Sequence, residues 1–273
     1  MNQTPDPYKI AQTIKAAQNQ NRQIEPFTAQ FRSFDEALAY EVSGLVHEAR
    51  ISEGAVPVGR KLGFTNPEMW SLYGVKAPIW AHVYDRTVTH ISGGEATCRI
   101  GGFSEPKIEP EIVIHFGSAP PVSDDPAEIL SSVDWVAHGI EIVQSHYPGW
   151  EFQAADTIAD AALHATLLVG EPLDVTRAAP GILSDLKQFT VTLACDGEVL
   201  EQGSGANALG SPVSAIAHLI SVIAGQPDAP PIKAGELVTT GTLTPALPVL
   251  AGQRWTTRIE GIPLPGLSVL FKA

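Results

Sequence analysis

Apolar residues in the first fifty positions recur at helical spacing. Ile10, Ile14 and Ala17 share one helical face, and a second periodic run holds Ala37, Leu38, Tyr40, Val42 and Leu45. Ser33 and Glu36, three apart ahead of that run, predict a capping box. After Gly54 the pattern changes: apolar runs shorten, β-branched residues become frequent, and Pro and Gly interrupt the chain. Strands are expected at Ile108–Phe116, Trp135–Val143, Phe189–Ala194, Leu237–Thr240, Arg254–Ile259 and Leu267–Phe271. Asp196-Gly197 and Glu260-Gly261 predict hairpin turns. Helices are expected at Asp124–Leu130, Asp156–Val169 and Pro212–Ala224, the last with Ser211 as N-cap and Pro212 in its first turn. Helices first and strands afterwards predict an α+β chain around a mixed sheet or rolled barrel: a helical segment over residues 1–55, then a mixed-β domain over 56–273.

The 273 residues are 44% hydrophobic, enough to bury one large core, and carry a formal net charge of −13. Such a chain repels phosphate backbones, so no nucleic-acid or anionic-membrane partner is expected. An acidic protein with an anionic substrate needs a local positive centre, which a bound cation would supply. Cys98 and Cys195 lie far apart and offer neither a disulfide framework nor a zinc knuckle. The N-terminus has no apolar signal core and no run approaches the length of a membrane span, so a cytoplasmic protein is expected.

The most informative segment is Lys107-Ile108-Glu109-Pro110-Glu111-Ile112-Val113-Ile114. In a strand, residues two apart share a face, so Glu109 and Glu111 stand side by side. Two converging carboxylates need a proton, a basic residue or a metal, unless the strand end is solvated. Glu141 is a third acid in an apolar run, Ala137–Val143. A carboxylate cluster suits hard cations such as Mg²⁺ or Mn²⁺. Arg60 and Lys61 are adjacent on a short strand, so one is expected to face inward and the other water. The eight histidines show no HxH or HExxH spacing, and His138 and His146 read as structural or exposed. No phosphate loop, dinucleotide fingerprint or GxSxG elbow is present. Thr239–Pro245 is a hydroxyl-rich turn that fits either a carboxylate-binding loop or a capped one.

Taken in order, these residues form a pattern: Gly59-Arg60-Lys61-Leu62-Gly63-Phe64-Thr65, Tyr73-Gly74-Val75 with Pro78, Glu109-Pro110-Glu111, Gly139–Val143, Asp156–Asp160, Thr240–Thr244 and the closing Pro263–Phe271 region. No single motif is specific, but their order resembles the fumarylacetoacetate hydrolase superfamily. Within it the chain is similar to the 2-oxo-4-pentenoate hydratase and 2-oxo-3-hexenedioate (4-oxalocrotonate) decarboxylase branch. The resemblance implies a mixed β-roll with N-terminal helices, usually assembled as a homodimer or larger homo-oligomer. It makes Glu109, Glu111 and Glu141 metal ligands for Mg²⁺ or Mn²⁺. Lys61 becomes an active-site residue, and Thr65, Thr240, Gly241 and Thr242 substrate contacts.

Two departures accompany it. An aspartate is expected after Pro78, where Ile79 stands instead, in a substrate-binding position. Asn and small serines are expected after Asp160, where Ala161, Ala162, Leu163 and His164 stand. The implied enzyme is a metal-dependent lyase that grips a small 2-oxo-enoic or 2-hydroxydienoic acid and works through an enolate. The Thr240 hydroxyl and the Gly241 amide would hold the substrate carboxylate. Loss of the aspartate favours decarboxylation over water addition, with His164 the candidate replacement acid–base. C–C hydrolysis and a non-catalytic 2-oxo-acid-binding protein are the remaining alternatives.

Overall fold

The computed structural model describes residues 4–67, 70, 75–177 and 181–273. Tyr73 and Gly74 of the second motif lie outside the described residues. Three helices open the chain: α1 (Pro7–Gln20), α2 (Phe27–Gln30) and α3 (Glu36–Ser52). The carboxylate of Asp6 caps α1 by accepting from the amides of Tyr8 and Lys9. The capping box expected from Ser33 is absent, because the N-cap of α3 is Asp35, whose side chain accepts from the Leu38 amide. Ile10, Ile14, Ala39 and Val42 turn inward and share one core with Ile79 and Ile158.

The first sheet contains β1 (Pro57–Gly63), β2 (Ile79–Tyr84), β3 (Val88–His90), β5 (Lys107–Phe116), β6 (Val133–Val143), β7 (His164–Val169) and β11 (Leu237–Thr239), in the order β2-β1-β11-β5-β6-β7-β3. Short strands β8 (Leu173–Asp174) and β12 (Leu247–Pro248) pair with β6 and β5. The second sheet contains β4 (Glu95–Arg99), β9 (Thr190–Cys195), β10 (Glu198–Ser204), β13 (Arg254–Glu260) and β14 (Ser268–Lys272), in the order β10-β9-β13-β14-β4. Among the described residues the remaining α-helices are α4 (Pro126–Leu130), α5 (Ala154–Ala159), α6 (Ile182–Gln188) and α7 (Pro212–Ala224).

The first sheet curls into a roll. Val83 from β2 and Val88 from β3, near its opposite edges, pack into one cluster with Val113, Ala137, Leu167 and Leu237. Successive residues along β5 alternate between this inner face and an outer one, where Ile112 and Ile114 meet Val213, Ile216 and Leu219 of α7. Ile108, Ile140 and Ile142 pack outward instead against Leu193, Trp255, Val269 and Phe271 of the second sheet. The architecture is therefore the mixed roll with N-terminal helices that the sequence predicts.

The expected strands are all present, as is α7 with Ser211 capping the Ser214 amide. Asp196 (φ 49°) and Gly197 (φ 90°) form the β9–β10 turn in the doubly left-handed geometry such hairpins need. Three further expectations require correction. The helix expected over Asp156–Val169 ends at Ala159, and His164–Val169 is a strand paired with β6. Ala161, Ala162 and Leu163, with φ of 51°, 49° and 64°, turn the chain between them. Burial of alternate β7 side chains against the roll overrides the helical pattern. Glu260-Gly261 is not a tight hairpin turn, because Thr256 pairs with Ser268 and the chain between carries Pro263 and Pro265. Finally, Gly205–Ala224 has the length and mean hydropathy, 1.4, of a membrane span. In this fold Val213, Ile216, Leu219, Ile220 and Ile223 of that run fill the protein core.

Candidate metal centre and substrate cavity

The antiparallel register of β5 and β6 sets Glu109 directly opposite Glu141, with Glu111 opposite Gly139. Strand alternation puts Glu109 and Glu111 on the inner face, and pairing puts Glu141 beside them. Ligand oxygens from the three lie within 4.8 Å of one another. Glu111 and Glu141 are fully buried, while Glu109 retains some exposure. Buried oxygens Glu111 Oε1 and Glu141 Oε2 have no hydrogen-bond partner, an expensive arrangement unless a ligand completes it.

The opposite oxygens are occupied. The Gly241 amide donates to Glu111 Oε2 at 2.8 Å. Glu141 Oε1 lies 3.0 Å from Lys61 Nζ and 2.7 Å from His164 Nδ1. One oxygen of each buried acid is thus held by protein, and the other is left to converge. An all-carboxylate donor set of this kind fits a hard divalent cation.

Electrostatics agree. Burial, together with the Glu141 charge, raises the Glu109 carboxyl to about 7 despite the Lys61 ammonium. Burial and the Glu141 and Glu109 charges push Glu111 well above the usual range. Glu141 goes the other way: burial is outweighed by Lys61 and His164, and its carboxyl falls to about 2. For Lys61, burial opposes the charge, but Glu141, Glu109 and Glu111 overcome it and hold the ammonium above the ordinary lysine value. A cation in the midst of the three acids would relieve the strain on Glu109 and Glu111.

A cavity of about 430 Å³ opens over this centre. Lys61, Glu109, Thr65, Ile79, Gly241 and Thr242 all line it. Phe64, Trp150, Phe152 and Leu163 form an apolar wall, joined by Asn207 and Lys107. Gly241 (φ 94°) has no room for a side chain, since a Cβ there would stand 1.9 Å from Thr65 Oγ1. The glycine thereby brings its N–H onto Glu111.

Several expected roles change. Thr240 is fully buried and its hydroxyl donates to the Ile112 carbonyl, so it does not face the cavity. The Gly241 amide is committed to Glu111 and is not offered to a substrate carboxylate. Thr242 lines the cavity, but its hydroxyl donates to the Thr244 carbonyl. His164 stands behind Glu141, with its second ring nitrogen 2.8 Å from Thr87 Oγ1, and is outside the cavity lining. Both ring nitrogens are engaged, so His164 holds the Glu141 carboxylate from behind and turns neither nitrogen to the cavity.

Arg60 also departs from expectation. It does point away from Lys61, but into protein: it is 1% exposed against 2% for Lys61. It bonds Glu236 at 3.1 Å and the Pro231 carbonyl at 3.0 Å, and lies 5.0 Å from the Trp80 ring centroid. Both faces of β1 are covered, so neither neighbour reaches water. His138 is structural, bonded to the Glu111 carbonyl and Thr257, and burial lowers its imidazole to about 4. The sequence reading missed Lys107, although its two-residue spacing from Glu109 was visible. It also missed Trp150 and Phe152, for which no periodic signal existed.

Residues 71–264 match the model of the fumarylacetoacetate (FAA) hydrolase C-terminal family. A 2-keto-4-pentenoate hydratase of Paraburkholderia xenovorans (strain LB400) is 30% identical over 257 residues, covering 93% of this chain and 91% of that protein. A 4-oxalocrotonate decarboxylase of Pseudomonas putida is 29% identical over 255 residues, covering 93% and 92%. Among solved structures, the 4-oxalocrotonate decarboxylase from Pseudomonas putida G7, complexed with magnesium and adipate, superposes with a TM-score of 0.88 at 26% identity, covering 99% of this chain and 100% of that one. Site geometry, fold and sequence converge: the chain belongs to the fumarylacetoacetate hydrolase family.

Proposed function

We propose that this protein is a divalent-metal-dependent lyase that decarboxylates a small vinylogous 2-oxo acid such as 2-oxo-3-hexenedioate. The observation carrying the lyase reading is the pair of unpartnered buried oxygens, Glu111 Oε1 and Glu141 Oε2, beneath a cavity that Lys61 enters. Glu109, Glu111 and Glu141 would hold the ion, with Mg²⁺ or Mn²⁺ the metals of choice. A bound divalent ion supplies Lewis-acid stabilisation for a substrate's carboxylate and 2-oxo head. The same proposal places the enzyme in the cytoplasm as a homodimer or larger homo-oligomer, with a small 2-oxo acid as its ligand.

The protein's own groups account for the rest. Lys61 Nζ faces the centre as a buried cation and can donate to the 2-oxo oxygen as negative charge develops there. In decarboxylation the C5–C6 bond breaks and its electron pair moves through C4 and C3 to that oxygen. CO₂ leaves, and a proton from Lys61 at the oxygen gives 2-hydroxy-2,4-pentadienoate. Ile79 and Leu163, with Phe64, Phe152 and Trp150, exclude water from the distal carbons, which favours release of neutral CO₂.

Water addition is the second reading, supported by relatives named as hydratases. It requires a group to hold and activate water near the distal carbons. Among the described residues, Glu109 is the only carboxylate lining the cavity, and no histidine lines it. The two readings separate when 2-oxo-3-hexenedioate and 2-hydroxy-2,4-pentadienoate are offered separately with Mg²⁺. Release of CO₂ from the first without hydration of the second is expected. Efficient conversion of the second to 4-hydroxy-2-oxopentanoate would overturn the decarboxylase assignment.

A further inference from the structure

Lys107 begins β5, two residues before Glu109 and four before Glu111. Strand alternation therefore sends its side chain to the face that carries the carboxylates. Burial on this face falls from Glu111 to Glu109 and Lys107, so Lys107 stands at the more open end of the cavity it lines. Its ammonium lies 3.8 Å from the centroid of the Trp150 ring. Trp150 is itself anchored, its indole N–H donating to the Glu105 carbonyl at 3.1 Å. A cation–π contact of this kind fixes an ammonium while leaving its outer side free for an anion.

The anions already near Lys107 do not consume it. Glu105 Oε1 accepts from Gln23 Nε2 at 2.6 Å and from the Gly149 amide at 3.0 Å. Glu109 belongs to the metal centre. Among the described residues, no hydrogen bond or ion pair engages the Lys107 ammonium, and Lys61 and Lys107 are the two cations lining the cavity. Lys61 serves the head of the ligand, so Lys107 is a cation over the cavity without an assigned anion.

Spacing names that anion. At about 3.3 Å per strand residue, the Lys107 and Glu109 Cα atoms stand roughly 6–7 Å apart along β5. The terminal carboxyl carbons of an extended six-carbon diacid are also roughly 6 Å apart. We propose that Lys107, seated on Trp150, is the subsite for the distal carboxylate of a 2-oxo diacid and selects it over a 2-oxo monoacid of equal length. This deepens the lyase reading above and rests on it. Lys107 acts in recognition, and its contact with the carboxylate is given up as neutral CO₂ leaves.

Calorimetry with the full chain and Mg²⁺ tests the subsite, using three probes: oxalate, 2-oxoadipate and 2-oxohexanoate. Wild type should bind 2-oxoadipate at least tenfold more tightly than 2-oxohexanoate. Lys107→Met, which keeps an apolar stem over Trp150, should reduce that ratio to within twofold while oxalate affinity changes little. Lys107→Arg should restore most of the preference. A ratio that survives in Lys107→Met, or a wild type that does not prefer the diacid, overturns the subsite while leaving the head-binding site intact. Failure of oxalate to bind with Mg²⁺ overturns the lyase reading of the site and this proposal with it.

Discussion

Replacing Lys61 by Met removes a fully buried cation and little else, because the two side chains are of similar length. Lys61 Nζ lies 3.0 Å from Glu141 Oε1, and both residues are shielded from water. Removing one partner of such a pair costs about 3–5 kcal/mol, since the remaining charge stays buried. At a few degrees per kcal/mol for a domain of this size, the metal-free variant should melt about 6–15 °C below wild type. Lys61 is foremost among the groups lowering the Glu141 carboxyl, so the variant should also bind an additional proton there. Saturating Mg²⁺ should narrow the melting difference, because the ion then neutralises the same carboxylates. Turnover should fall by about 10²–10³, the usual effect of losing one donor at a developing oxyanion, with a smaller change in ligand affinity. The assays are thermal denaturation with chelator and with Mg²⁺, and steady-state kinetics on 2-oxo-3-hexenedioate. A metal-free melting temperature within 2 °C of wild type, together with turnover within threefold, would refute the central place given to this ammonium.

The metal-free fold should lose stability as pH rises. Glu109 titrates near 7 in the fold against an ordinary 4.5, so its contribution is complete below the unfolded value and disappears as pH passes through about 7. The loss is of order 3 kcal/mol for Glu109 alone; Glu111 adds in the same direction, and Glu141, lowered to about 2, acts only in strong acid. Melting temperatures with chelator that stay flat or climb between about pH 5 and pH 8 would contradict this. His164→Ala should weaken Mg²⁺ binding by about 10–100-fold, as expected for a group that orients a ligand, and unchanged affinity by calorimetry would remove it from that role. Arg60→Met should destabilise by about 3 kcal/mol, somewhat moderated because Glu236 keeps partial access to water. A double-mutant cycle with Glu236→Gln that shows no coupling would return Arg60 to a packing role.

The acids of the site were legible because strand parity is a local rule: Glu109 and Glu111 share a face wherever β5 lies. Their partners were less so. Nothing local tells that Arg60 is buried, because its cover comes from Trp80 and Glu236, which the fold brings from distant strands and loops. Periodicity also misread Asp156–Val169, where pairing with β6 outweighs helix propensity after Ala159. The hydroxyl-rich Thr239–Pro245 turn fitted either a carboxylate-binding or a capped loop, and its Gly241–Pro245 part lines the cavity. Its donors were not assignable from sequence, because Thr240 and Gly241 spend them on Ile112 and Glu111. Ile79 was visible as a departure, and the structure places it in the cavity wall.

The parallel pairing of β1 with β11 joins Lys61 to Thr239 and so brings the first strand of the roll against nearly the last segment of the site. β5 and β6 are neighbours in sequence and can zip early, presenting three mutually repelling carboxylates without Lys61 or the Gly241 amide. Closing the β1–β11 seam requires a long loop to be ordered, a slow and entropically costly event in any chain. The complete binding centre is therefore expected to form late on the folding route. A cation that prefers the finished site should then act mainly as a brake on unfolding, lengthening the lifetime of the native protein more than it hastens its formation.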